Sequence, residues 1–429
     1  MAVGMVVGAG IFKSPTAVAQ NTPDVIWLLG LWALGGVISL IGGLCYAELC
    51  AAFPDRGGDY HFLRLAYGRT MGFLFAWARF MVVNTGSLAL LGFVLGDYLQ
   101  AVLPLGPYGP AIYAAIAVLA VTGLNLRKLS AGVEAQEWLT WALLIGLALV
   151  IVAGFLAAGQ IAPPPEAQAP PAPLYFGQAL VLVLLAYGGW NEVTTLSADL
   201  RGGPKAMLPL LVISLGVITA LYLAVNAALA FGLGFDGLAN ASAPAYAVVE
   251  KGMGGIGQIL ILGIVFAAVI TSINATVIAG SRTTFAAAAD WPQLQFLAGF
   301  DAKSGVARSA SIAQCLVALA LVGMGAISLE GFRTLVDYTA PVYWLFLTLS
   351  GLAVIVLRIR QPHTARPFRT PLFPLAPLIF ASAGGYMVYS SILYVRQGAM
   401  VGLGVLALGA LAAALLHWGE VRALAAQQK

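Results

Sequence analysis

Residues 8 to 15 read GAGIFKSP and residues 186 to 192 read AYGGWNE, and each stretch interrupts an apolar run. Gly8-Ala9-Gly10 and Gly188-Gly189 put small residues where a membrane-spanning helix would be continuous. Large residues follow at once, Ile11-Phe12 in the first case and Trp190-Asn191 in the second. A helix broken inside a bilayer leaves N–H and C=O groups without partners, which is tolerable only where protein, water or a ligand completes them. Gly-rich membrane helices also serve close helix packing, and a single G-x-G would be read that way. Two matched breaks, one near position 8 and one near 188, point instead to a midplane site between two related halves.

The surroundings support the membrane reading. Of 429 residues, 61% are hydrophobic and 9% charged, with a mean hydropathy of +0.93. Soluble domains carry about a quarter charged residues. Apolar runs of about 20 residues, enough to cross a ~30 Å hydrocarbon core, predict twelve helices. They lie near 1–20, 25–53, 71–103, 109–125, 136–158, 175–200, 206–233, 254–288, 308–327, 332–358, 373–395 and 399–418. Of the 21 Lys and Arg residues, 16 fall in connections on one side or in the C-terminal tail. Lys13, Lys251, Arg333 and Arg396 face the other side, and Arg79 lies within a helix. The positive-inside rule then places both termini in the cytoplasm. The net charge of +4 forms no basic face or arm, which excludes nucleic acid as a partner.

Gly159 to Pro173, GQIAPPPEAQAPPAP, reads as an extended external spacer, and Ala245 to Lys251 as a short helix over the external mouth. No removable signal peptide is expected. Only about eight residues precede the first break, ~12 Å of helix, so the start is expected to be incomplete or the inner gate short.

A zwitterion supplies what the breaks lack. Its carboxylate accepts from N–H groups at a half-helix N-terminus, where the dipole is positive, and its ammonium donates to carbonyls at a half-helix C-terminus. Charged hydrogen bonds of about 1.5–3 kcal/mol each offset much of the desolvation without any charged side chain.

GAGIFKSP and AYGGWNE resemble the amino acid–polyamine–organocation superfamily, specifically its L-type amino acid transporter branch and bacterial relatives. YAELCAAFPDRGGDY (Tyr46 to Tyr60), GSRTTFAAAAD (Gly280 to Asp290) and RPFRTPLFPLAP (Arg366 to Pro377) continue the resemblance in order along nearly the whole chain. It implies an all-α polytopic membrane protein with a leucine-transporter-type fold, a single transmembrane domain over residues 1–429. Helices one to five (1–158) and six to ten (175–358) would be inverted repeats, with two peripheral helices at 373–418. It also implies secondary transport of neutral or broadly selected L-amino acids across a bacterial inner membrane. The substrate carboxylate would meet Gly8, Ala9, Gly10 and Ile11, and its amino group the carbonyls around Ala186, Tyr187, Gly188 and Gly189. Phe12 and Trp190 would be gates or side-chain walls, unless they are ordinary packing. The Lys that many members carry on helix five is replaced by Ala142 or Leu143. Glu192 falls where the wider superfamily often has a Glu.

Charged groups inside a bilayer are costly and need a partner or a function. Glu192 either titrates in a proton-coupled cycle or anchors local backbone and hydroxyls such as Thr194 and Thr195. Arg79 and Glu48 are expected to snorkel or to pair across the cytoplasmic gate, and Asp337 is a further candidate. On helix eight, Ser272 and Thr276 share a face at i, i+4 and either line the cavity or bond within the bundle. Cys45, Cys50 and Cys315 lie in apolar helices without metal spacing, and none falls in an external loop to tether a partner subunit. His61, His363 and His417 are scattered and match no hydrolase or metalloprotease motif, so an enzyme is not expected, nor a cofactor or metal. No charged ring suggests a channel. Exchange, proton-coupled uptake of amino acids or related amines, and a non-transporting sensor of the same fold stay open.

Overall fold

In the computed structural model, the structure describes residues 9–55, 57–126, 131–158, 174–196, 203, 206–297, 299, 307–394 and 396–427. Gly8 and the proline-rich 159–173 segment lie outside them. The elements are α1 Ser14–Ala19, α2 Val25–Ala52, α3 Asp59–Tyr67, α4 Arg69–Ala78, α5 Thr85–Val102, α6 Gly109–Asn125, α7 Ala131–Ala158 and α8 Phe176–Ala186. There follow α9 Met207–Leu233, α10 Phe235–Asn240, α11 Pro244–Asp290, α12 Arg308–Ser328, α13 Gly331–Arg360, α14 Leu375–Tyr394 and α15 Arg396–Gln427. Among the described residues nine helices are long and apolar enough to span a membrane, and α6 is a shorter apolar one. Residues 9–19 and 176–196 are the described parts of the first and sixth expected helices.

Local chemistry sets the boundaries. Pro15 occupies the first turn of α1, where a missing N–H costs nothing. The Asp24 carboxylate caps α2 by accepting from the Trp27 N–H at 2.9 Å. Gly254, at φ +70°, bends α11 between a short outer piece that contains Ala245–Lys251 and the long spanning piece.

Two features depart from the sequence reading. The charged stretch at 54–70 is not all loop: α3 forms there because Tyr60, Phe62, Leu63 and Ala66 bury one face. The third crossing is not one α-helix but α4 and α5 joined by a π-helical stretch, Arg79–Asn84. Such wide turns often sit at functional sites.

α7 packs along α11, α2 along α9, α5 along α6 and α13 along α14. The outer faces are apolar and exposed at Ile26, Val37, Ile112, Ile116, Leu119, Trp141 and Ile145, as lipid contact requires. Cys45, Cys50 and Cys315 are buried and form no disulfide among the described residues.

Candidate functional site

Among the described residues neither Ala9–Phe12 nor 187–196 is α-helical. Ala9–Phe12 forms a 3₁₀ turn closed by the Lys13 N–H donating to the Gly10 carbonyl at 3.0 Å, before α1 begins. On the second side α8 stops at Ala186. The Tyr187 N–H reaches Val183 O and the Gly188 N–H reaches Leu185 O. Gly189 then takes φ +100°, a region that side-chain-bearing residues avoid, and a 3₁₀ helix resumes at Trp190–Leu196. The breaks touch: a Cβ placed on Gly10 would lie 3.9 Å from the Ala186 Cα.

Freed carbonyls can be followed one by one. Tyr98 Oη donates to Phe12 O at 2.8 Å, and Tyr222 Oη to Ala186 O at 3.1 Å. Gly189 O accepts from the Glu192 N–H. Among the described residues nothing donates to the carbonyls of Tyr187 or Gly188. A fully buried aromatic cluster of Trp32, Tyr187 and Tyr222 backs this break, and Tyr187 Oη ties it to Trp32 O.

Ile11 and Phe12 are buried beside the first break, Phe12 with its edge against Tyr98. Trp190 is lodged between Tyr46 at 4.9 Å and Phe380 at 6.0 Å between ring centres. On α11 the hydroxyl of Ser272 donates to Ala268 O and that of Thr276 to Ser272 O, each one turn back on its own helix. Asn274 accepts from the Asn125 amide of α6.

Beneath the breaks, toward the arginine-rich connections, lies a polar lock. Arg79, on the π-helical stretch, pairs with Glu192 at 2.5 Å. Asn191 donates to Asp59 at 3.1 Å, accepts from Tyr343 Oη at 3.4 Å, and its carbonyl accepts from Thr194 Oγ1. Burial pushes the Asp59 carboxyl above the usual carboxylate range, and the hydrogen bond from Asn191 opposes that push. Glu48 takes no part. Arg358 grips it through two bonds of 2.8 and 2.6 Å, with Arg366 at 3.3 Å and the Thr370 N–H at 2.7 Å, which fastens α2 to the connection between α13 and α14.

On the opposite side the molecule is hollow. A cavity of about 690 Å³ is lined from α1, α5, α8, α13 and α14, and its described wall reaches inward to Lys13 and Leu182. Lys13 Nζ lies 2.7 Å from Asp97 of α5 and donates to Ser242 O at 2.8 Å. Thr16 and Gln20, on the same face of α1, donate to Ala241 O and Ala239 O. The sequence reading named neither Asp97, Tyr98, Tyr222 nor Asp59. The available signal was chemical: a hydroxyl or carboxylate in an apolar run must find a partner.

Nine apolar spanning helices among the described residues, two non-α segments in contact with open carbonyls between them, and a cavity on one side of them define a polytopic membrane carrier. The chain belongs to the amino acid permease family, whose model matches residues 1–412. It is similar to b(0,+)-type amino acid transporter 1 of Mus musculus, 27% identical over 406 residues, which is 91% of this chain and 80% of that protein. The large neutral amino acids transporter small subunit 2 of Rattus norvegicus is 29% identical over 391 residues, 88% of this chain and 72% of that protein. The serine/threonine exchanger SteT of Bacillus subtilis (strain 168) is 27% identical over 398 residues, 92% of this chain and 89% of that protein. The amino acid–polyamine–organocation resemblance therefore holds along the chain, and the protein is an amino acid transporter and not an enzyme.

Proposed function

We propose that this permease exchanges neutral or broadly selected L-amino acids across a bacterial cytoplasmic membrane by alternating access. The zwitterion sits between the two breaks. One observation carries the reading: the unoccupied carbonyls of Tyr187 and Gly188 stand beside the first break, in contact through Gly10 and Ala186. An ammonium donor completes them, and N–H groups around Gly8 to Ile11 receive the carboxylate. The names of the relatives support neutral substrates and exchange. In this reading helices one to five and six to ten are inverted repeats, and the lysine and arginine distribution puts both termini in the cytoplasm. The hollow side is then external and the lock cytoplasmic. The buried positions of all three cysteines support a carrier that works without a covalently attached subunit.

Engagement of Glu192 by Arg79 favours an anchoring role, and helix five offers Ala142 and Leu143 where a cation would relay protons. Purified protein in liposomes preloaded with unlabelled serine or leucine is expected to take up the labelled amino acid, and empty liposomes to take up little. An imposed pH gradient is expected to leave the rate unchanged, and Glu192→Gln to keep the pH profile of the wild type. No uptake under any loading refutes the permease reading; a profile flattened by Glu192→Gln establishes proton coupling.

A further inference from the structure

The nine-residue helix α3 is set off from its neighbours by two glycines, Gly58 at φ +52° and Gly68 at φ +100°, backbone that residues with side chains avoid. Such ends would let α3 swing as a lid. Its bonds hold it in place instead. At the end of α11 the Asp290 carboxylate accepts from Tyr60 Oη at 2.6 Å and from Arg64 at 2.8 Å. The Asp290 carbonyl accepts from Arg69, just past Gly68, at 2.6 Å. On α13, Leu349 O accepts from Tyr67 Oη at 2.8 Å. Arg360 donates back to the Ala66 carbonyl at 2.8 Å, at the end of α3 where a helix leaves its carbonyls without partners. The helix is thereby tied along its length to both α11 and α13. Before it in the chain, α2 is fastened through Glu48 to Arg358 of α13 and to the Thr370 N–H.

The segment Trp190–Leu196 beyond the second break is held differently. Among the described residues its polar contacts with this frame run through two adjacent side chains. Asn191 donates to Asp59 and accepts from Tyr343 Oη, and Glu192 pairs with Arg79. The Thr194 hydroxyl stays within the segment, on Asn191 O. Trp190 meets Tyr46 and Phe380 through ring edges, which carry no directional bond. Withdrawing this short 3₁₀ piece about Gly189 parts the bonds of those two residues. Moving α3 would strip Asp290, Leu349 and Ala66 of their partners together, leaving polar groups unpaired on two helices. Asp59 is the first residue of α3 and is 5% exposed, so its carboxylate is placed by the tied helix and not by solvent.

We propose that α3 is a fixed sill and Asp59 the positioning residue on it. Asp59, acting through Asn191, sets where the segment Trp190–Leu196 rests when the arginine-rich side is closed. Opening parts Asn191 from Asp59 while Tyr60, Arg64 and Arg69 stay on Asp290. The inference rests on the alternating-access reading above and names which of its parts moves.

The test uses two cysteine pairs in a chain whose Cys45, Cys50 and Cys315 are changed to alanine. Asp59→Cys with Asn191→Cys spans the contact that parts, and Arg64→Cys with Asp290→Cys the contact that stays. Each pair is bridged in proteoliposomes with bifunctional methanethiosulfonates of graded length and released with reductant, so every protein is its own control. Bridging 59 to 191 is expected to lower serine exchange about tenfold or more, with recovery on release, and bridging 64 to 290 to leave it within about twofold. Arrest by the 64–290 bridge, or undiminished exchange with 59 bridged to 191, overturns the proposal. A second measurement needs neither transport nor a bridge. In the same background, Asp59→Ala is expected to raise the rate of thiol labelling of Thr194→Cys about fivefold, whereas Asp59→Asn, which keeps an acceptor for Asn191, leaves it near that of the unaltered residue. Equal rates in all three overturn the proposal. If no protein exchanges any amino acid but the labelling difference appears, the exchange reading fails and the role of Asp59 stands.

Discussion

The two sides of the breaks are held by different kinds of bond. On the arginine-rich side, closure depends on side chains that meet across helices: Arg79 with Glu192, Asn191 with Asp59, and Trp190 wedged between Tyr46 and Phe380. On the hollow side, Lys13, Thr16 and Gln20 stitch α1 to the carbonyls of 242, 241 and 239, and the lumen stays open above them. The first arrangement resists separation, since parting Arg79 from Glu192 leaves charge in a poorly solvated place. The second ties α1 to the 239–242 stretch, while Lys13–Asp97 and the bond from Tyr98 Oη to Phe12 O reach across to α5.

That contrast can be broken outright at the hinge between the two sides. Gly189→Val puts a β-branched residue at φ +100° and displaces the open carbonyls beside it, so exchange is expected to fall about a hundredfold or more while the protein still inserts. Near-normal exchange would show that the break is not the site.

A second intervention weakens the lock alone. Arg79→Ala removes the guanidinium that faces Glu192, and because Glu192 keeps 30% of its side-chain surface exposed the cost is expected near ~2 kcal/mol. A lower unfolding temperature and faster thiol labelling of a cysteine introduced near Asn191 check this, and adding Glu192→Ala should recover part of the stability. An unchanged melting temperature would mean that the pair does not hold the arginine-rich side.

The opposite side should respond less. Lys13→Met removes a pair whose side chains are 16% and 22% exposed, worth about 1 kcal/mol, and substrate release toward the hollow side is expected to quicken modestly. The smallest effect is expected from Thr276→Val, whose hydroxyl serves only its own helix: within about 0.5 kcal/mol, with exchange kinetics near those of wild type. A large change there would restore Thr276 to the cavity.

Much of this was legible beforehand, though not the reasons. The breaks could be read because one run of small residues in an apolar helix suits close packing, whereas two at matching places suit a shared site. Arg79 and Glu192 were each visible as expensive charges, yet their pairing was not, since 113 positions separate them and a π-helical stretch turns Arg79 to its partner. The three further motifs read as family resemblance also proved to be one structure. Glu48 of the first meets Arg366 and Thr370 of the third, and Tyr60 of the first donates to Asp290 of the second at 2.6 Å.

Hydropathy, the all-α membrane class and the location of the second interruption were determined by the amino-acid sequence itself, because each depends on residues adjacent along the chain and on a solvent that tolerates few polar groups. Which freed carbonyls stay open, which carboxylate is locked and which is left facing the cavity were decided only by tertiary structure. Those outcomes turn on hydroxyls and guanidinium groups brought from distant helices to within about 3 Å, a distance no local pattern encodes.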